Sequence, residues 1–334
     1  MRRVSLLLFV LVLLAGGAYA AYWFETARKI EAGMPAWAAA QRAEGYALEW
    51  QTLQVGGFPF TFGLRLGGAV LHATRPFSYE AHSDTVTATA TPFDLRTWRI
   101  AAPEGASLAA PTALAAIDAA ALDGSVALGG DATSITLAAH QVSGHGGARD
   151  FSADVLETDI TLPAHGAASH RDTALSLAVR LRQAMLPAIP APLSPRIDTL
   201  ALTATVKGPW LAGGFQRALV AWRDGGGTIE IESAHVVWGG TTVDVTGTLA
   251  LDAAMQPEGA MTASVTGADK AVDAAVAAGA LEPRYAGVAK SVLRAISAKD
   301  ENGAEALHVP LTIQDQRLYI GPAAVAALPH IEWQ

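Results

Sequence analysis

The chain has 334 residues, enough for one large domain or two medium ones. Its net charge of −8, with Lys and Arg scattered singly or in pairs, excludes the basic patch that a nucleic-acid partner requires. There is no cysteine, which excludes disulfides, thiolate metal sites and cysteine nucleophiles, and the 51% hydrophobic content is inflated by alanine.

Arg2 and Arg3 are followed by residues 4–24, a stretch without one charge. A helix rising about 1.5 Å per residue needs roughly 20 apolar residues to cross the hydrocarbon core, and this stretch meets that length. Tyr19, Tyr22 and Trp23 lie at its far end, where amphipathic rings favour the membrane–water boundary. A cleaved secretory signal is the competing reading, because Ala18-Tyr19-Ala20 fits a small-x-small cleavage pattern. Both readings export the remainder. The expected location is a bacterial inner membrane, single-pass with the bulk in the periplasm, or the periplasm in soluble form after cleavage at Ala20.

Residues 25–44 read as a stalk helix: Ile30, Met34 and Trp37 follow a three-to-four spacing. Pro35 is expected to kink it or to begin a second helix there, and Gly45 to stop it. Strands follow. Phe60, Phe62, Leu64 and Leu66 alternate with Thr61, Gly63 and Arg65, the period of two of a strand with one covered face. Further strands are predicted at 78–91, 94–100, 125–128, 134–142, 151–162 and 174–181, separated mostly by Gly, Pro and Asp. Pro187, Pro190, Pro192 and Pro195 mark a connection that is neither helix nor central strand. Beyond it come a strand at 197–206, a helix at 211–223 with Leu211, Phe215, Leu219 and Trp222 on one face, and a meander of three strands at 228–238, 241–251 and 259–266. Helices at 269–280 and 282–298 and a hairpin of 307–313 with 317–320 close the chain.

The predicted fold class is therefore α+β: an N-terminal transmembrane helix and stalk helix, followed by antiparallel, curved β-sheets with a few covering helices. The expected organisation is an anchor (1–24), a stalk (25–45), an N-terminal β-rich region (46–186), a Pro-rich connection (187–196) and a C-terminal α+β region (197–334).

Several segments carry a family resemblance. They are Trp50 to Phe62 with Gly57-Phe58-Pro59-Phe60, Trp238-Gly239-Gly240 leading to Gly247-Thr248-Leu249-Ala250-Leu251-Asp252, Gln256-Pro257-Glu258-Gly259, and Val309-Pro310-Leu311-Thr312-Ile313 with Gly321-Pro322 and Leu328-Pro329. In this order they resemble the bacterial family catalogued as domain of unknown function 2125. The resemblance implies an envelope protein and brings no catalytic residues. Gln316 departs from it, since a glycine suits that turn better. A looser architectural likeness links the single span and turn-rich strands to AsmA-like envelope proteins, which are associated with lipid handling.

The search for chemistry returns little. His82 with Asp84, His140 with His145 and His165 with His170 lack the His-x-x-x-His helical spacing of zinc hydrolases and read as strand-surface or loop positions. Val142-Ser143-Gly144-His145-Gly146 comes nearest to a nucleophile elbow, with its serine misplaced. Gly225-Gly226-Gly227 follows a helix and reads as its terminator, and Glu230 and Glu232 as the outer face of a strand. The aromatics Trp50, Phe58, Phe60, Phe62, Trp98, Trp222 and Trp238 read first as core, and alternatively as the lining of an apolar groove between sheet and helices. The leading expectation is a non-enzymatic, membrane-anchored envelope protein that binds or transfers an apolar ligand such as lipid. No cofactor is expected. A protein-binding envelope scaffold is the alternative, and a hydrolase with dispersed residues is the third reading.

Overall fold

One helix, α1 (Arg2–Ala43), opens the chain and carries Pro35 inside it. In this computed structural model residues 2–74, 78–110, 115–146, 150–186, 194–210, 215–277, 282–299 and 305–333 are described. Anchor and stalk are thus a single helix, and Pro35 neither stops it nor starts a second one. A second correction concerns its buried face. Trp37 is half exposed, and the covered positions are Trp23, Ala27 and Ala38, with Ile30 and Met34 half-buried between them. That 23–27–30–34–38 stripe has the helical period and places Trp37 just off it. Among the described residues α1 is the one helix long and apolar enough to cross a membrane, a property that a signal sequence shares.

Strands follow as β1 (Tyr46–Glu49), β2 (Thr52–Gly56), β3 (Phe62–Ala73), β4 (Tyr79–Thr91), β5 (Asp94–Ala102), β6 (Ala106–Ala110), β7 (Ala115–Leu128), β8 (Ala132–His145), β9 (Phe151–Pro163), β10 (Thr173–Met185) and β11 (Arg196–Lys207). Helix α2 (Phe215–Asp224) intervenes before β12 (Thr228–Trp238), β13 (Thr241–Leu251) and β14 (Pro257–Thr266). Helices α3 (Ala268–Ala277) and α4 (Pro283–Ile296) precede β15 (Ala298–Lys299), β16 (Glu305–Gln314), β17 (Arg317–Ile320) and β18 (Ala323–Ala327). Every pairing among the described residues is antiparallel. Strands β1 and β2 share one side of β3, β5 and β6 share the space between β4 and β7, and from β7 to β14 each strand pairs the next, before β16, β17 and β18 finish the sheet.

The sheet runs through the Pro-rich connection without interruption, since β10 and β11 pair from Thr173↔Lys207 to Met185↔Arg196. The prolines Pro187, Pro190 and Pro192 themselves lie outside the described residues, as do residues 211–214 of the expected helix start and 278–280 of the next. Three elements depart from the sequence expectation for one reason. The first ten residues of β7, all of β6 and all of β18 are alanine-rich and carry no bulky alternation, so only pairing to neighbours makes them strands. The last long hairpin keeps its register across Asp315-Gln316, with Gln314 opposite Arg317. Both turn residues take left-handed φ of 49° and 56°, the geometry of a two-residue primed turn, without a glycine.

The register sorts the two faces. Leu156↔Leu181↔Leu200↔Val236↔Val243↔Val265↔Leu307 is one unbroken cross-strand row of aliphatic residues. The alternate positions are polar: Glu157 meets Arg180 and Arg182 at 3.1 and 2.8 Å, and Lys207 meets Glu230 at 2.7 Å. A sheet of this kind needs cover on its apolar face. Cover is sparse here. Trp23, Ala27 and Phe62 form one buried cluster under α1, and Ala153, Ala184 and Ile197 a second beside Trp238. Most aliphatic side chains of the row are only half-buried.

Candidate functional site: an apolar cavity beneath helix α2

Helix α2 presents Phe215, Leu219 and Trp222 on one face, four and three residues apart. That face lies over the ends of strands β9 to β14 and leaves a cavity of about 520 Å³. Its floor is a second aliphatic row, Leu175↔Val206↔Ile229↔Leu249, extended by Leu162 on one side and by Leu251 and Pro257 on the other. Trp210 and Trp333 also line it. Phe215 bridges them, with ring centroids 6.0 Å from Trp210 and 6.4 Å from Trp333.

Every lining side chain is apolar, and two of the indoles have spent their N–H groups elsewhere. Trp222 donates from Nε1 to the carbonyl of Lys207 at 2.7 Å, and Trp333 donates to the carbonyl of Met255 at 2.6 Å. Trp222 is held flat against the chain that ends α2. A Cβ on Gly227 would stand 2.2 Å from Cε2 of that indole, so only glycine fits there. Gly225-Gly226-Gly227 does terminate the helix: all three N–H groups bond back to carbonyls of its last turn.

Trp333 belongs to the C-terminal tail, and Gln256 pins that tail. Gln256 is 1% exposed; its Oε1 accepts from the N–H of Ile331 at 2.9 Å and its Nε2 donates to the carbonyl of Ile331 at 3.1 Å. Burial of an amide is stable only when its polar atoms are paired, and here the pairing places an aromatic wall.

The seven aromatic candidates are not brought together. Trp222 lines the cavity. Trp238 stands in the cluster with Ile197 and donates to the carbonyl of Ser194 at 2.8 Å. Phe62, fully buried, stacks on Trp23 at 5.2 Å, and Trp98 packs half-buried beside that pair. Phe58 stacks on Phe24 at 5.3 Å, Phe60 is exposed, and Trp50 is half-buried between β1 and β2. Sequence reading missed Trp210 and Trp333. Both lie in irregular segments, where no period marks a covered face.

The polar candidates lie on the other face or in loops. His82 meets Asp84 at 3.2 Å, His140 meets Asp123 at 2.9 Å, and His145 meets Asp150 at 3.6 Å. Glu232 accepts from the Thr205 hydroxyl at 2.6 Å. Among the described residues no three His, Asp or Glu side chains converge as metal ligands. Two carboxyls have lowered pKa values. The N–H and hydroxyl of Ser169 and the N–H of Ala168 hold Asp172 below its usual range, in the loop before β10. The Thr97 side chain and the N–H of Arg96 do the same for Asp94.

Comparison with known proteins places the chain. No curated protein and no solved structure matches. Residues 23–329 match the family model described as an uncharacterized protein conserved in bacteria, DUF2125, so the stalk part of α1 and almost the whole sheet belong to that bacterial family.

Proposed function

We propose that this is a non-enzymatic envelope protein, held by α1 in a bacterial inner membrane with its sheet in the periplasm, and that the cavity beneath α2 binds the acyl chain of a lipid. The observation that carries this reading is the lining: fourteen apolar residues around about 520 Å³, within the roughly 300–1,000 Å³ of ligand pockets. Such walls offer dispersion contacts along a chain and no acid, base or nucleophile. Half-buried aliphatic rows continue from the cavity across the sheet, and a soluble monomer rarely leaves an apolar surface of that extent bare.

Native mass spectrometry of the full chain released from detergent, with lipid analysis of the extract, tests the proposal. Bound acyl lipid is expected, and so is uptake of the fluorescent fatty acid cis-parinaric acid by delipidated protein. Leu175→Trp, which puts an indole on the cavity floor, should abolish uptake while leaving the β-sheet circular dichroism intact. Absence of both lipid and uptake in folded wild-type protein overturns it.

The scaffold reading draws on a different feature. Strand β18 is exposed at all five residues and pairs with β17, an edge able to accept a strand from another protein. Photocrosslinking from Val325 in cells would identify such a partner, and recovery of lipid alone would count against it.

A further inference from the structure

The antiparallel register carries one rim of the sheet from the anchor to the cavity. The turn at 57–61 before β3, the turn at 92–93 between β4 and β5, the segment bearing α2 between β11 and β12, and the turn at 252–256 between β13 and β14 all lie on it. The first two of these turns grip the helix. The Tyr19 hydroxyl donates to the carbonyl of Pro59, and the Tyr22 hydroxyl to that of Pro92 at 3.2 Å. Trp23 Nε1 donates to the carbonyl of Thr61 at 3.1 Å, and Phe93 stacks on Tyr19 with centroids 6.2 Å apart. Yet Phe60 and Phe93 remain 81% and 88% exposed.

Length then decides where these rings lie. Residues 4–18 precede the first of these contacts, and at about 1.5 Å per residue they reach about 22 Å, short of the roughly 30 Å hydrocarbon core. Adding residues 19–24 brings the uncharged stretch to about 31 Å. A helix that spans with its uncharged stretch therefore takes the clamped turns with it, into the last ~9 Å of the membrane on that side. The first charges, Glu25 on the helix and Asp94 behind Phe93, then fall at the headgroup level.

We infer that this rim is a second membrane contact: Phe58, Phe60 and Phe93 insert into the same bilayer that holds α1, and the cavity faces that bilayer as the source of its lipid. The inference rests on the anchored, lipid-binding reading above. It adds an orientation. From β5 to β9, where the cavity begins, there are three strand steps, about 14 Å along the rim. Apolar wall and inserted rings share that border, so a chain leaving the bilayer stays near apolar surface over this distance.

The absence of cysteine makes the test site-specific. Single variants Phe60→Cys, Phe93→Cys, Val12→Cys and Glu104→Cys of the full chain are labelled with the polarity-sensitive dye NBD. They are reconstituted in phosphatidylethanolamine–phosphatidylglycerol liposomes with or without nitroxide-labelled lipid. Glu104 lies in the exposed turn between β5 and β6, at mid-height of β4 and β7 and away from this rim. Labels at 60 and 93 should be blue-shifted and quenched by the nitroxide as strongly as the label at 12, and several-fold more than the label at 104. If 12 is quenched while 60 and 93 behave like 104, the bilayer has thinned to the free helix; the rim inference fails and the anchor stands. If 12 also reports water, the anchor fails and takes the inference with it.

Discussion

Two aromatic assemblies cover the same apolar sheet face, and they end differently. Under α1, Trp23 and Phe62 stack at 5.2 Å and are 3% and 0% exposed. Under α2, Phe215 and Trp333 stand 6.4 Å apart beside a cavity of about 520 Å³. The cover explains the difference. From Trp23 to its end α1 runs about 30 Å, close to the roughly 36 Å of β3, and drops a residue onto the sheet every turn. Helix α2 has ten residues and contributes one short face. An apolar sheet becomes core or cavity according to the length of what lies on it.

This contrast can be broken at five points. The largest effect is expected at Phe62→Ala. It empties a site with no solvent access and should lower stability by about 3–5 kcal/mol in denaturant titrations of the full chain. Leu175→Ala, at the cavity floor, removes a side chain that already borders empty space and should lose only about 1 kcal/mol. Equal losses at the two sites would mean that the cavity is packed in solution.

Gly227→Ala drives a methyl group into the Trp222 indole and should destabilise by about 1–3 kcal/mol, with a shift in tryptophan emission. Gln256→Ala leaves the tail's backbone groups at Ile331 unpaired, a loss of about 1–3 kcal/mol if they stay buried. The tail should then detach, which faster carboxypeptidase trimming would reveal, and with Trp333 gone the fatty-acid probe should bind more weakly.

The smallest effect is electrostatic. Asp172 has a folded pKa below its unfolded value of about 3.9, so its contribution is present above that value and is lost as pH falls through the folded pKa. Asp172→Asn should therefore melt slightly earlier than wild type at pH 7, and the two melting curves should converge in acid. A gap of constant size across that range would remove the carboxylate from the explanation.

Much of this architecture was legible along the chain. The alternation Phe60, Phe62, Leu64, Leu66 identified β3 and its covered face, although its first member, Phe60, lies in the turn before the strand and is exposed, and the glycine pair at 239–240 placed the β12–β13 hairpin. Phe215, Leu219 and Trp222 were legible as one helical face. Pro35 misled, because the stalk gains enough from Trp23, Ala27 and Ala38 packing on the sheet to carry one missing N–H. Alanine misled in β6, β7 and β18, since its side chain leaves no period to read. Of the cavity, only Trp222 was among the aromatic candidates; Trp210 and Trp333 enter it from segments without repeating pattern.

What the sequence determined by itself is which residues are alike in facing. The uncharged first helix and the one-sided strands follow from local periods of 3.6 and 2, properties of covalent order. Only the tertiary structure decided which part of the oily face stays open. That depends on register carried strand to strand from residue 62 to residue 257, on the ten-residue reach of α2, and on a tail held 75 residues from its partner Gln256. Those are long-range geometric sums, and no local window of the chain contains them.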